Sequence, residues 1–185
     1  HNTGHLNLRR IEKLVKVLSD MKNHGIQVVL VSSGAVSAGV AKVGAARPTT
    51  IAEKQAMAAI GQSELMRLYD QLFSLYGHTV AQVLLTRDTV DSDHKKENVL
   101  NTFNTLLDMN IIPIVNENDT VAIDELQGNN FGDNDMLSAI VAKLVGADLL
   151  VILTDIDGLY DKDPRKYEDA KKIDVVEEIT DEIVS

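Results

Sequence analysis

The chain has 185 residues, with 18 Lys and Arg against 28 Asp and Glu, a formal net charge of −10. That balance excludes a nucleic-acid partner, because holding phosphates needs a basic face. There is no cysteine, which excludes disulfides and thiolate metal sites, and the 44% hydrophobic and 25% charged fractions are those of an ordinary globular domain.

No apolar run approaches the ~20 residues of a membrane span and the start does not read as a signal peptide. A cytoplasmic protein without a membrane partner is expected, built as one domain over residues 1–185. His1–Leu6 is a polar lead-in. Asn7 caps a helix running through His24, with Leu8, Ile11, Leu14, Val15 and Leu18 at helical spacing and Gly25 as its stop. Gln27–Val31 (QVVLV) reads as a strand buried on both faces.

Ser32-Ser33-Gly34-Ala35-Val36-Ser37-Ala38-Gly39 follows at once. Small residues at a strand-to-helix turn let a ligand approach the backbone, and a helix start offers unpaired N–H groups. The stretch is neither a Walker A loop nor the spaced-glycine dinucleotide fingerprint. It is either a tight turn under a close-packed helix, or a place where Ser33 and nearby amides bind an anion or a substrate carboxylate.

Thr50–Tyr76 is helical, with Gly61 as an interruption and the small residues Ala56, Ala58, Ala59 and Gly61 permitting close helix packing. Thr79–Leu85 (TVAQVLL) is a strand, and Lys95–Met109 returns to helix after a polar connector. His78 and His94 read as surface residues, since no metal-ligand spacing surrounds them.

The densest chemistry runs from Ile111 to Asp135. Ile111–Val115 is a buried strand that passes into Asn116, Glu117, Asn118 and Asp119, the kind of polar set found beyond the carboxyl ends of parallel strands. A second set, Gly132-Asp133-Asn134-Asp135, opens a helix ending at Val145. Between the two, Thr120–Leu126 and the turn Gly128-Asn129-Asn130 form a small hairpin. From Glu97 to Ala142 there are eight carboxylates and no Lys, Arg or His, a concentration that repels itself unless it holds a metal, an ammonium group or lysines from elsewhere. Leu149–Leu153 (LLVIL) is a further buried strand, ending in Thr154-Asp155, and Asp161–Arg165 is a turn fixed by Pro164. Helix–strand alternation throughout gives an α/β fold, a three-layer sandwich with a mostly parallel central sheet and helices on both faces. Polar strand ends after Val31, Val115 and Leu153 are expected along one sheet edge.

The series VVLVSSGAVSAG, IPIVNENDTVA, FGDNDMLSA and LLVILTDIDGLYDKDPR resembles the amino acid kinase family in order and spacing, and the NEND–GDND pair is similar to its glutamate-phosphorylating branch. The resemblance implies that Ser33, Gly34, Asp119 and Asn134 bind the amino acid. It places Thr154 and Asp155 in an ATP site with Tyr160, Asp163 and Pro164 in the adjoining wall. Asp133 and Asp135 are implied to act in catalysis by organising lysines or Mg²⁺; no protein-held metal site is implied. The implied reaction is ATP-dependent phosphorylation of the L-glutamate γ-carboxylate to glutamyl 5-phosphate, the first step of proline biosynthesis. Feedback inhibition by proline, a homo-oligomer (dimer or tetramer) and a downstream glutamyl phosphate reductase belong to the same picture.

Against that pattern, the family's first strand with its lysine precedes residue 1 and its Gly-rich loop with a second lysine follows residue 185. The chain is thus expected to be the enzyme's core rather than a complete catalyst. The alternatives are another amino acid kinase, the kinase part of a fused pyrroline-5-carboxylate synthase, and a non-catalytic amino-acid-sensing module.

Overall fold

The computed structural model describes residues 6–86, 89, 91–121, 134–154 and 156–177. The hairpin expected at 120–130 and the candidate residues Asp133 and Asp155 lie outside these, apart from Thr120 and Val121, which are in a turn. The chain divides into two compact units, His1–Leu150 and Val151–Ser185.

The first unit holds a parallel sheet of order β1-β3-β2, in which β1 is Leu30–Val31, β2 is Val80–Leu85 and β3 is Ile112–Glu117. Its helices are α1 (Leu8–Asn23), α2 (Ala35–Val43), α3 (Ile51–Ser74), α4 (Asp93–Asp108) and α5 (Asn134–Val145). Side chains alternate across the strands, so β3 feeds two cores. Ile112 and Ile114 pack with Val15 of α1, Ala35 and Ala38 of α2, and Leu65, Tyr69 and Phe73 of α3. Val115 packs on the other face with Val83 and Leu85 of β2, Phe103 of α4, and Leu137 and Val141 of α5. This is the three-layer arrangement expected. Each fully buried large apolar side chain here contributes about 1.5–3 kcal/mol.

Local chemistry sets the helix ends. Asn7 Oδ1 accepts from Arg10 N at 3.2 Å and starts α1. A capping box starts α3: Thr50 Oγ1 accepts from Glu53 N, and Glu53 Oε2 accepts from Thr50 N. Thr49 N–H, which donates to Glu53 Oε2 at 2.8 Å, and then Thr50 N–H hold the Glu53 carboxyl below its ordinary pKa.

Four expectations are corrected. Gly61 does not interrupt α3, which runs unbroken across it. The first strand pairs only over Leu30 and Val31, because its ladder to β3 reaches just Ile114 and Val115. His78 is half-buried rather than fully at the surface, with its Nε2 enclosed. Leu149–Leu153 is neither a strand nor buried. Its residues are 39–74% exposed. The apolar β-branched pattern states which sheet a segment can join, but burial needs a neighbouring strand, and among the described residues none pairs with this run.

The second unit contains an antiparallel pair, β4 (Leu159–Tyr160) with β5 (Lys172–Ile173), which the charged tail did not signal.

An ion pair ties α2 to α3: Lys42 Nζ lies 3.0 Å from Glu64 Oε2, and Arg67 also bonds Glu64. Arg67 first and Lys42 second pull the Glu64 carboxyl from 4.5 to about 2. A depressed carboxylate contributes stability above its unfolded pKa and loses it as pH falls through the folded one. The melting-temperature gap between wild type and Glu64→Gln is therefore expected to be small and constant at neutral pH. It should close as pH falls from about 4.5 to about 2. Thermal melts across that window check it.

Candidate active site

The carboxyl edge of the sheet is where the polar sets meet. β1 and β3 are adjacent and parallel, and Ser32 N donates to Val115 O at 2.8 Å, so Ser33 and Gly34 emerge beside Asn116–Asp119. Gly34 sits at φ +89°, a left-handed conformation that turns the chain straight from β1 into α2. Ser33 is exposed on that turn, and the first amides of α2 receive no side-chain cap from Gly34.

Asn134, the first residue of α5, closes on the same edge. Its Nδ2 donates to Ser32 O at 2.9 Å and lies 3.4 Å from Asn116 Oδ1. A backbone carbonyl only accepts, so this contact fixes which way the Asn134 carboxamide faces. Both its amide hydrogens point inward, and Oδ1 remains as an acceptor for a ligand donor.

Asn116 is 2% exposed. Its Oδ1 accepts from Glu117 N at 2.9 Å, and its Nδ2 donates to Gln62 Oε1 of α3 at 2.8 Å. One heptad further along α3, the buried Tyr69 hydroxyl lies 3.0 Å from Ser32 Oγ. Burial raises the Tyr69 pKa, with the Ser32 bond acting in the opposite sense, so the phenol stays protonated. Glu117, Asn118 and Asp119 line a cavity of about 390 Å³ together with Gln62, Ser63, Met66 and Gln82.

The structure thus brings Ser33, Gly34, Asp119 and Asn134 to one edge. Asp135, also a candidate, is exposed in the first turn of α5, where a carboxylate also favours the helix dipole. Sequence reading missed Gln62 and Tyr69. The available signal was their place on the apolar face of α3, seven residues apart between Ala58, Leu65 and Phe73.

Thr154, Tyr160, Asp163 and Pro164 belong to the second unit. Thr154 is exposed and ends no strand. Tyr160 OH donates to Asp157 Oδ1 at 2.8 Å, and Lys172 Nζ lies 3.2 Å from Asp157 Oδ2. Tyr160 and then Lys172 hold the Asp157 carboxyl below its usual range. Asp163 Oδ1 accepts from Arg165 N at 3.0 Å, which chiefly lowers its pKa and shapes the turn through the half-buried Pro164.

Among the described residues no group of three or more His, Asp or Glu side chains is placed to hold a metal ion, and no helix is long and apolar enough to cross a membrane.

Residues 3–183 match the model of the amino acid kinase family. The chain is 58% identical to glutamate 5-kinase of Clostridium perfringens, covering 99% of this chain and 69% of that protein. It is 55% identical to glutamate 5-kinase of Listeria innocua, covering 99% of this chain and 67% of that protein. With the glutamate 5-kinase of Lactococcus lactis it shares 53% over 97% of this chain and 67% of that protein.

Proposed function

Since this chain belongs to the amino acid kinase family, with glutamate 5-kinases as its relatives, we propose that it transfers the γ-phosphoryl group of ATP to the γ-carboxylate of L-glutamate. The product is glutamyl 5-phosphate, and the step opens proline biosynthesis. The observation that carries the substrate assignment is the junction of Asn134, Ser32 and Asn116 at the carboxyl edge of the sheet.

A carboxylate is ionised near neutral pH, so its attack on phosphorus needs no general base. The protein must align two anions and screen their charge. Ser33 and the amides at the start of α2 bind a carboxylate of the amino acid. Asn134 Oδ1 accepts from its ammonium group, and Asp119 supplies the opposing charge. Asp133 and Asp135 organise cationic groups around the transferring phosphoryl. Thr154 and Asp155, with Tyr160, Asp163 and Pro164, hold the nucleotide. Mg²⁺ carried on the ATP phosphates, the usual mode for this ion, would supply charge neutralisation at the transferring group, with Asp133 and Asp135 as the residues to organise it. Proline as an inhibitor and self-association are parts of the same proposal.

Calorimetric titration of the chain tests the substrate. L-glutamate is expected to give heat, while L-aspartate, N-acetylglutamate and UMP do not. Heat with one of those three and none with glutamate would move the chain to another branch of the family.

A further inference from the structure

We infer that Gln62 is a positioning residue for the amino-acid site: from α3 it fixes the carboxamide of Asn116, and through Asn116 that of Asn134. The inference rests on the reading that Asn134 holds glutamate. It adds a residue from a different element that need not touch the substrate.

The argument begins with Asn116, which at 2% exposure must satisfy its amide within the protein. Glu117 N–H only donates, so the atom it meets at 2.9 Å is Oδ1. The nitrogen then points the other way and requires an acceptor, which Gln62 Oε1 supplies at 2.8 Å. With Gln62 gone, a buried N–H is stranded. Rotating the carboxamide to rescue it sets Nδ2 against two donors, Glu117 N–H and Asn134 Nδ2. Asn134 then keeps Ser32 O as an anchor and loses Asn116 Oδ1. One anchor leaves its side chain free to swing, and the Oδ1 meant for the ligand loses its fixed direction. Gln62 also lines the cavity beside Glu117, Asn118 and Asp119, so its replacement is felt at the site rather than deep in the core.

The test uses the ¹⁵N-labelled chain with two variants. Gln62→Met is close in volume but lacks the acceptor, and Gln62→Glu keeps an acceptor oxygen in the same place. Without ligand, the side-chain NH₂ signals of Asn116 and Asn134 should shift in Gln62→Met and return toward wild type in Gln62→Glu. Backbone signals elsewhere should hold. Glutamate affinity should fall about tenfold in Gln62→Met, the scale of one hydrogen bond. In an Asn116→Ala background the same change should cost nothing further, since the relay is already cut. Unmoved Asn134 signals in Gln62→Met overturn the inference, as do losses that simply add in the double variant. If wild type takes no glutamate, the substrate reading falls separately, and the ligand-free spectra still decide the positioning role. Should Gln62→Met not fold, Gln62→Ala provides the same comparison.

Discussion

Gly61→Ala is expected to destabilise the first unit strongly. A Cβ at Gly61 would stand 1.7 Å from Ala35 O and 2.5 Å from Gly39 N, both backbone atoms of the α2 segment. At Gly39 a Cβ would stand 1.9 Å from Met57 O, so the two helices cross through paired glycines. Helix propensity alone gives the opposite sign, since Ala in a helix interior is favoured over Gly by about 1 kcal/mol. Sterics win because neither neighbour is a side chain that can rotate away: one whole helix must move. The cost is at least about 3 kcal/mol, a melting-temperature fall on the order of 10 °C for a chain of this size. Gly44→Ala is the control. Its Cβ meets nothing within 4 Å and only its φ of +66° resists, so a loss of about 1 kcal/mol is expected there. A Gly61→Ala variant as stable as wild type would mean that α2 and α3 do not cross at this distance. Because α2 begins directly after Ser33-Gly34, the same contact sets the position of the turn proposed to hold the carboxylate.

The contrast with sequence reading follows from that crossing. Small residues at 56, 58, 59 and 61 announced close packing, and the structure uses Ala58 and Gly61 for it. What one glycine means, a break or a contact, depends on the partner helix, and periodicity carries no information about partners. Elements whose signal is local were legible: Asn7 as a cap, the helix entered at Thr50, the buried β3, and α5 beginning within one residue of its expected start. The strand ends at Ser33 and Asp119 were legible for the same reason, as each follows an apolar run directly.

Elements defined by pairing were not legible. Leu149–Leu153 has the composition of a core strand, and it is exposed because no described strand accepts its hydrogen bonds. The β4–β5 pair depends on a two-residue ladder, too short for any pattern to register. Gln62 was invisible as a site residue because a polar side chain on an apolar helix face acquires meaning only from what it meets, here Asn116 across 54 positions of sequence.

Two substitutions at the sheet edge are expected to weaken glutamate binding by one to two orders of magnitude, and to differ in what else they damage. Asn134→Ala removes the acceptor assigned to the ammonium group. It also strips Ser32 O and Asn116 Oδ1 of a donor. Losing bonds to a charged ligand group is worth about 1.5–3 kcal/mol, hence about 10- to 100-fold in affinity. The orphaned carbonyl adds a stability loss of about 1 kcal/mol. Asp119→Asn keeps the shape and an acceptor oxygen on the cavity wall while deleting the charge. It should therefore match Asn134→Ala in lost affinity and hold its melting temperature. Nucleotide affinity should stay near wild type in both, because neither residue is assigned to the phosphates. Calorimetry for both ligands, with a melt of each variant, separates the cases. Equal losses toward glutamate and nucleotide would make Asp119 an organiser of cations rather than a substrate ligand. Unchanged glutamate affinity in Asp119→Asn would remove that residue from the site and leave the ammonium to Asn134 alone.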